Sequence, residues 1–166
     1  QIVAQRLGVE VDSPTGRNLL DIPSDESNLV HRALAAFRDA FGIKDGFYCQ
    51  LGKQIPAGAG LGGASSDAAS ALLCAARLCD IPTDTPLLGE LAAKIGSDVP
   101  FFLGMGGTTP IDGARATGRG EQIKAIELGN KIDCIVIFPA VCLTTEEVYA
   151  NSKVKSKPRD AAVIVD

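Results

Sequence analysis

The residues with most chemistry in them lie in one stretch, Pro56-Ala57-Gly58-Ala59-Gly60-Leu61-Gly62-Gly63-Ala64-Ser65-Ser66-Asp67. Four glycines fall within the six positions Gly58 to Gly63, and two hydroxyl residues follow. Glycine adopts positive φ at little cost and lets a ligand approach the backbone closely. Successive N–H groups turned inward by such a run form a concave nest for an anion. A helix beginning at the serines would add unpaired amides and a partial positive charge. Together these make a phosphate cradle built from backbone. It suits a chain with 16 basic and 20 acidic residues and a formal charge of −4. That overall field draws neither nucleic acid nor an anionic membrane surface, so no partner of either kind is expected.

Three glycine-loop types are distinguishable. The pattern G-x-x-x-x-G-K-[ST] is absent, since no lysine follows these glycines. The dinucleotide pattern is formally met by Gly58-x-Gly60-x-x-Gly63. Its usual partner is an acidic residue ending the next strand. The nearest candidate here, Asp80, instead ends a helical pattern just before Pro82. A turn that merely joins strand to helix is the bland alternative.

Asp98, in Gly96-Ser97-Asp98-Val99-Pro100, is the second chemical candidate. A carboxylate on such a turn would accept the proton of an attacking hydroxyl; a turn aspartate bonded to its own backbone is the alternative. The five cysteines, Cys49, Cys74, Cys79, Cys134 and Cys142, show no C-x-x-C spacing, and His31 is the single histidine. Zinc is therefore poorly supported. The cysteines read as reduced, buried thiols, and His31 as a residue of a helix surface.

The elements around these residues follow from periodicity. Ile2–Val11 has strand character. Val30, Ala33, Leu34, Phe37 and Phe41 recur at helical spacing between Asn28 and the stop at Gly42. Phe47–Leu51 reads as a short strand. A helix opening at Ser65-Ser66-Asp67 and running to about Leu78 is apolar all round, so it should be central and buried. Leu87–Ile95 forms another helix, closed by Gly96. Asp133–Phe138 reads as a strand, Thr144–Glu147 as a helix start, and Lys153–Arg159 as a solvated tail. No apolar run reaches the ~18–20 residues of a membrane span.

The string Lys53 to Ala69 resembles the ATP-binding motif of the GHMP kinases. Its longer form, P-x-G-x-G-L-G-G-x-S-S-[ND]-A-A, looks most like the branch acting on 4-diphosphocytidyl-2-C-methyl-D-erythritol in the non-mevalonate isoprenoid pathway. Other blocks resemble the same family in the same order: Asp25-Glu26-Ser27-Asn28-Leu29, Gly96 to Phe102, Thr117-Gly118-Arg119-Gly120-Glu121, and Pro139 to Tyr149. The resemblance covers most of residues 18–150.

The resemblance implies an α+β fold. It would hold most of a GHMP kinase N-terminal domain, of the ribosomal protein S5 domain 2-like type, over 1–128, and the start of a C-terminal domain over 129–166. A left-handed βαβ unit would centre on the loop and the helix from Ser65. The implied cofactors are ATP and Mg2+, and the implied reaction phosphorylates the 2-hydroxyl of the cytidyl diphosphate methylerythritol substrate. Gly58, Ala59, Gly60, Leu61, Gly62, Gly63, Ala64, Ser65 and Ser66 would hold the triphosphate. Ser66 would also touch Mg2+, with helix capping as the alternative role of the serines. Asn28, Leu29 and Lys53 match positions around the adenine; without the match, Leu29 is a core residue and Lys53 an ordinary surface charge. Asp98 matches the catalytic aspartate.

The chain departs from the family in three places. Nothing before Asn18 resembles the K-[IVL]-N and G-Y-H elements that bring the catalytic lysine and substrate contacts, and most of a C-terminal domain is not present. Gly104 to Gly113 is a few residues longer than the family's link. The chain is thus expected to be a middle portion of a longer kinase, inactive by itself. Other members acting on homoserine or mevalonate, and a non-catalytic nucleotide-binding domain, are the alternative readings. A monomer or weak homodimer is expected, in the cytoplasm of a bacterium or the plastid stroma of a plant or alga.

Overall fold

The computed structural model describes residues 2–3, 8–12, 22–53, 55, 57–105, 113–127, 135–137 and 145–152. The elements in order are β1 (Ile2–Val3), β2 (Gly8–Asp12), α1 (Leu29–Phe41), β3 (Gly46–Gly52), α2 (Gly63–Leu78), α3 (Pro86–Ile95), α4 (Val99–Met105), β4 (Gly113–Thr117), β5 (Gln122–Ile126) and α5 (Thr145–Asn151). Mixed helix and strand content confirms the α+β class.

Helix α1 begins where the sequence supplies a cap. Asn28 is extended (φ −72°, ψ 130°) and its side chain accepts from the Val30 amide, satisfying a donor left free at the helix start. Gly42 ends the helix in the left-handed region, φ 64°, and its amide donates to the Arg38 carbonyl. Val30, Ala33, Leu34 and Phe37 fall on one face and are buried. Phe37 stacks on Phe41 with ring centroids 4.6 Å apart and meets Phe47 of β3 edge-on at 5.9 Å.

Strand β3 is the centre of a three-stranded sheet ordered β1-β3-β2. β1 pairs with it antiparallel, Ile2 opposite Phe47, and β2 parallel, Gly8 opposite Tyr48 through Asp12 opposite Gly52. The strand character of Ile2–Val11 therefore resolves into two strands on opposite edges. The parallel pair β2/β3 has α1 as its crossover helix. Among the described residues no strand after α2 pairs with β3, and residues 106–112, within reach of the βαβ unit expected on the loop and the following helix, lie outside them. Helix α2 lies between β3 and β4, and among the described residues these belong to different sheets, because β4 pairs only with β5 in an antiparallel hairpin.

Helix α2 begins at Gly63, two residues before the serines, because Gly62 takes the N-cap position. It packs against α1, α3 and α4 and carries the core residues Ala68, Ala69, Leu72, Ala75 and Ala76. Leu72 is fully buried, a contribution of roughly 1.5–3 kcal/mol for such a side chain. Burial is not all round: Ser70, Cys74, Arg77 and Leu78 form an exposed stripe. The alanines let three helices approach over a wide arc, but not over the whole circumference.

Two further expectations change. Cys74 is exposed, while Cys49 and Cys79 are half-buried, and all three are free thiols. Leu73 and Ala75 are buried on either side of Cys74, but a helix turns 100° per residue and carries the thiol to the open stripe. Cys134 and Cys142 lie outside the described residues. Of the expected strand at 133–138, the described residues 135–137 lie in no strand, and Ile135 is 93% exposed. Three β-forming residues make no ladder without a neighbour to pair with. His31 is half-exposed on α1, as expected. The extra link at Gly104 to Gly113 and the tail at 153–159 lie mostly or wholly outside the described residues. Among the described residues, no helix is long and apolar enough to cross a membrane, and no three His, Cys, Asp or Glu side chains group as metal ligands.

Candidate active site

The glycine loop connects β3 to α2. Gly58, Gly60 and Gly62 have φ of 70°, 70° and 67°, whereas Ala59 and Leu61 between them keep negative φ. Alternation of this kind brings successive N–H groups to one side of the chain, the geometry of an anion-binding nest. Only glycine takes the three positive positions without strain. The Ser66 amide donates to the Gly62 carbonyl at 2.9 Å, which closes the first turn of α2. The amides of Gly63, Ala64 and Ser65 precede that bond and have no intrahelical acceptor. No acidic side chain sits in this turn to compete for them, and no side chain caps it. Ser65 and Ser66 lie inside the helix and half-buried, so they are not its caps. The expected capping role is replaced by Gly62, whose backbone does that work.

Lys53 stands just before the loop and is 8% exposed. It is not a surface charge. Its ammonium donates to Asp67 Oδ2 at 2.5 Å, across the neck of the loop. A Cβ on Gly63 would lie 3.3 Å from Lys53 Nζ. The lysine therefore runs beneath the start of α2, and Gly63 leaves it room. Asp67 was not among the residues singled out by sequence; its place in the S-S-[ND] element was the signal available.

The far wall comes from α4. A Cβ on Gly62 would lie 2.8 Å from two ring carbons of Phe102, so the loop rests directly on that ring. Asp98 is exposed and immediately precedes α4, with its carbonyl accepting from the Phe102 amide at 3.4 Å. One helical turn thus separates the loop's contact from the candidate base. Phe102, too, was missed as a site residue, although the Phe101-Phe102 pair was read as part of a block.

Asn28 and Leu29 sit at the start of α1. Asn28 is buried, and both ends of its amide are engaged: it donates to the Pro23 carbonyl at 2.6 Å and accepts from Val30 at 2.8 Å. Leu29 is partly buried against the core. The structure gives these two residues a local folding role. Ala57 and Ala59 are half-buried, and Leu61 is 45% exposed at the loop's outer edge. Pro56 and Gln54 lie outside the described residues.

The hairpin of β4 and β5 carries Thr117 to Glu121 at its tip. Gly118 and Gly120 have φ of 72° and 115°. Glu121 Oε2 accepts from the Arg119 amide at 2.7 Å. The Glu121 carboxyl is held below its ordinary range, first by its own backbone amide and then by that of Arg119.

Residues 28–107 match the GHMP kinases N terminal domain. The chain is 42% identical to a protein of Rhodopirellula baltica named 4-diphosphocytidyl-2-C-methyl-D-erythritol kinase, over 96% of this chain and 50% of that protein. Proteins with the same name from Chlorobaculum parvum and a Geobacillus species are each 42% identical, over 80% and 82% of this chain and 44% and 45% of their own lengths. The chain spans about half the length of the curated relatives it matches. A loop of alternating left-handed glycines opening α2, backed by an aspartate-led α4 and matched across 28–107, places the chain in the GHMP kinase family, of which it carries the N-terminal domain.

Proposed function

We propose that the protein to which this chain belongs is an ATP-dependent small-molecule kinase, acting on the 2-hydroxyl of 4-diphosphocytidyl-2-C-methyl-D-erythritol. The observation that carries this reading is the loop itself: three glycines at positive φ lead into a helix whose first turn holds no acidic residue. The names of relatives at about 40% identity support the choice of substrate.

In this reading the amides from Gly58 to Ser66 hold the triphosphate, and Leu61 flanks it. Mg2+, when bound, neutralises charge on the phosphate oxygens. Ser66 fits as a single hydroxyl ligand, since Mg2+ takes much of its shell from phosphate and water. Asp98 accepts the proton of the attacking hydroxyl. The new bond forms between that oxygen and the γ-phosphorus, the bond from phosphorus to the β,γ-bridging oxygen breaks, and ADP leaves. Asn28, Leu29 and Lys53 would border the adenine only by way of the backbone they organise. The protein would act as a monomer or weak homodimer, in the cytoplasm of a bacterium or the stroma of a plastid.

The test is a phosphorylation assay of the complete protein with ATP, Mg2+ and the cytidyl substrate, comparing wild type with Asp98→Asn. Loss of a general base costs roughly 10²–10⁴-fold in rate. Unchanged turnover in the variant removes Asp98 from the role, and phosphorylation of homoserine or mevalonate in place of the cytidyl substrate overturns the assignment.

A further inference from the structure

The tip of the β4–β5 hairpin meets the turn that carries Asp98. A Cβ on Gly120 would lie 3.1 Å from the Ser97 carbonyl oxygen and 3.4 Å from Ser97 Cβ. The first of these is backbone, which cannot swing aside as a flexible side chain does. Gly120 also has φ 115°, a conformation closed to residues with a side chain. Both facts require glycine, and for different reasons. The first concerns the neighbour, the second the hairpin.

The Ser97–Asp98 turn is held from its other side as well. The Val99 amide donates to the Gly96 carbonyl at 3.2 Å, closing the turn, and the Val99 side chain is fully buried. Ser97 and Asp98 themselves are exposed. The turn is thus anchored inward by Val99 and bounded outward by Gly120. The tip is itself firm: the Gly120 amide donates to the Thr117 carbonyl at 3.1 Å, and Glu121 Oε2 accepts from Arg119.

We propose that Gly120 is a positioning residue, which fixes the Asp98 carboxylate by seating the hairpin tip flat against the Ser97 backbone. This rests on Asp98 being the base of the proposed reaction. A side chain at position 120 pushes the turn away and with it the carboxylate. A displacement of about 1 Å in a reacting group can cost roughly 10²-fold in rate.

The experiment uses the complete protein and three variants: Gly120→Ala, Gly118→Ala and Asp98→Asn. Gly118 has φ 72° in the same tip, but a Cβ there would meet the Glu121 carboxylate and not Ser97. It therefore strains the hairpin without touching the turn. Two readouts are taken on folded protein. In amide hydrogen exchange, Gly120→Ala should speed exchange at Val99 at least tenfold and leave α1 unchanged, with no such effect from Gly118→Ala. In steady-state kinetics, Gly120→Ala should lower kcat by about 10- to 100-fold with the KM for ATP within about threefold, while Gly118→Ala stays within about threefold in both. Gly120→Ala with wild-type kcat, or Gly118→Ala with an equal loss, overturns the proposal. If Asp98→Asn remains active, the proposed base fails instead, and the exchange result still decides whether Gly120 holds the turn. If Gly120→Ala does not fold, hydrogen exchange of the wild-type protein decides instead: a Val99 amide that exchanges at the rate of an open chain shows that the turn is not held and overturns the proposal.

Discussion

Lys53 Nζ lies 2.5 Å from Asp67 Oδ2, so one ion pair ties the residue before the glycine loop to the second turn of the helix after it. Both charges are largely withdrawn from water, with Lys53 and Asp67 side chains 8% and 22% exposed. The pair holds the neck of the loop while the glycines shape its rim. Removing one member leaves the other charge half-buried and unmatched. Lys53→Met should destabilise the fold by about 2 kcal/mol, below the ~3–5 kcal/mol of a fully buried pair because Asp67 retains some water. Lys53→Met combined with Asp67→Leu should recover part of that loss. Denaturant unfolding of the single and double variants checks it, and a Lys53→Met variant as stable as wild type refutes the neck function.

Gly62 faces two constraints at once, φ 67° and the Phe102 ring. Gly62→Ala should cost about 1–2 kcal/mol from the backbone alone and more from the overlap. Phe102→Leu removes the ring carbons that a new methyl would strike. A double-mutant cycle on unfolding free energy should therefore show coupling above ~0.5 kcal/mol. Strict additivity would mean that loop and α4 do not press on one another there.

Loss of the α1 cap is a smaller effect. Asn28→Ala should destabilise by about 1 kcal/mol, since the Val30 amide and the Pro23 carbonyl both lose their partner. Asn28→Asp keeps the acceptor for Val30 but sets a carboxylate oxygen against the buried Pro23 carbonyl, so it should restore only part of the stability. Thermal unfolding reads both. Nucleotide affinity measured on the same proteins separates the cap from an adenine contact, because a cap alone leaves affinity unchanged.

Thiol reactivity should follow exposure and not composition. Burial pushes the Cys49 and Cys79 thiols above their ordinary range, which keeps them protonated and poorly nucleophilic near neutral pH. Cys74 stands on the open stripe of α2. In an iodoacetamide time course resolved by peptide mass spectrometry, Cys74 should be modified well before Cys49. Equal rates would contradict the half-buried placement of Cys49.

Glu121 should make the hairpin tip sensitive to acid. Its folded pKa lies below its ordinary value, so its stabilising effect is present above the unfolded pKa of ~4.3 and is lost as pH falls through the lower folded value. NMR titration of the Arg119 amide should show a transition on the acid side of an ordinary glutamate and none near neutral pH. Glu121→Gln should abolish that transition.

Much of the site was legible because local chemistry decides it. The alternating glycines require positive φ whatever packs around them, and φ of 70°, 70° and 67° at Gly58, Gly60 and Gly62 bears this out. The α1 face and its stop at Gly42 follow from spacing and from one αL residue. The start of α2 was read two residues late because serines are common caps, whereas here a left-handed glycine holds the cap position and the serines fall inside. The expected strand around Asp133 was read from β-forming residues alone, which carry no information about a pairing partner.

What the sequence by itself determined is the glycine loop with its left-handed positions, the α+β class and the family, since these rest on residue types at fixed spacing along the chain. Tertiary structure alone decided three pairings between residues distant in sequence: Lys53 with Asp67, Gly62 with Phe102, and Gly120 with Ser97. A lysine before a glycine loop reads as solvated until a fold buries it beneath a helix. A glycine in a hairpin reads as turn chemistry until another segment lies 3.1 Å from where its side chain would be. Periodicity reports which face of an element is apolar; only packing reports what that face, or the space left by a glycine, comes to meet.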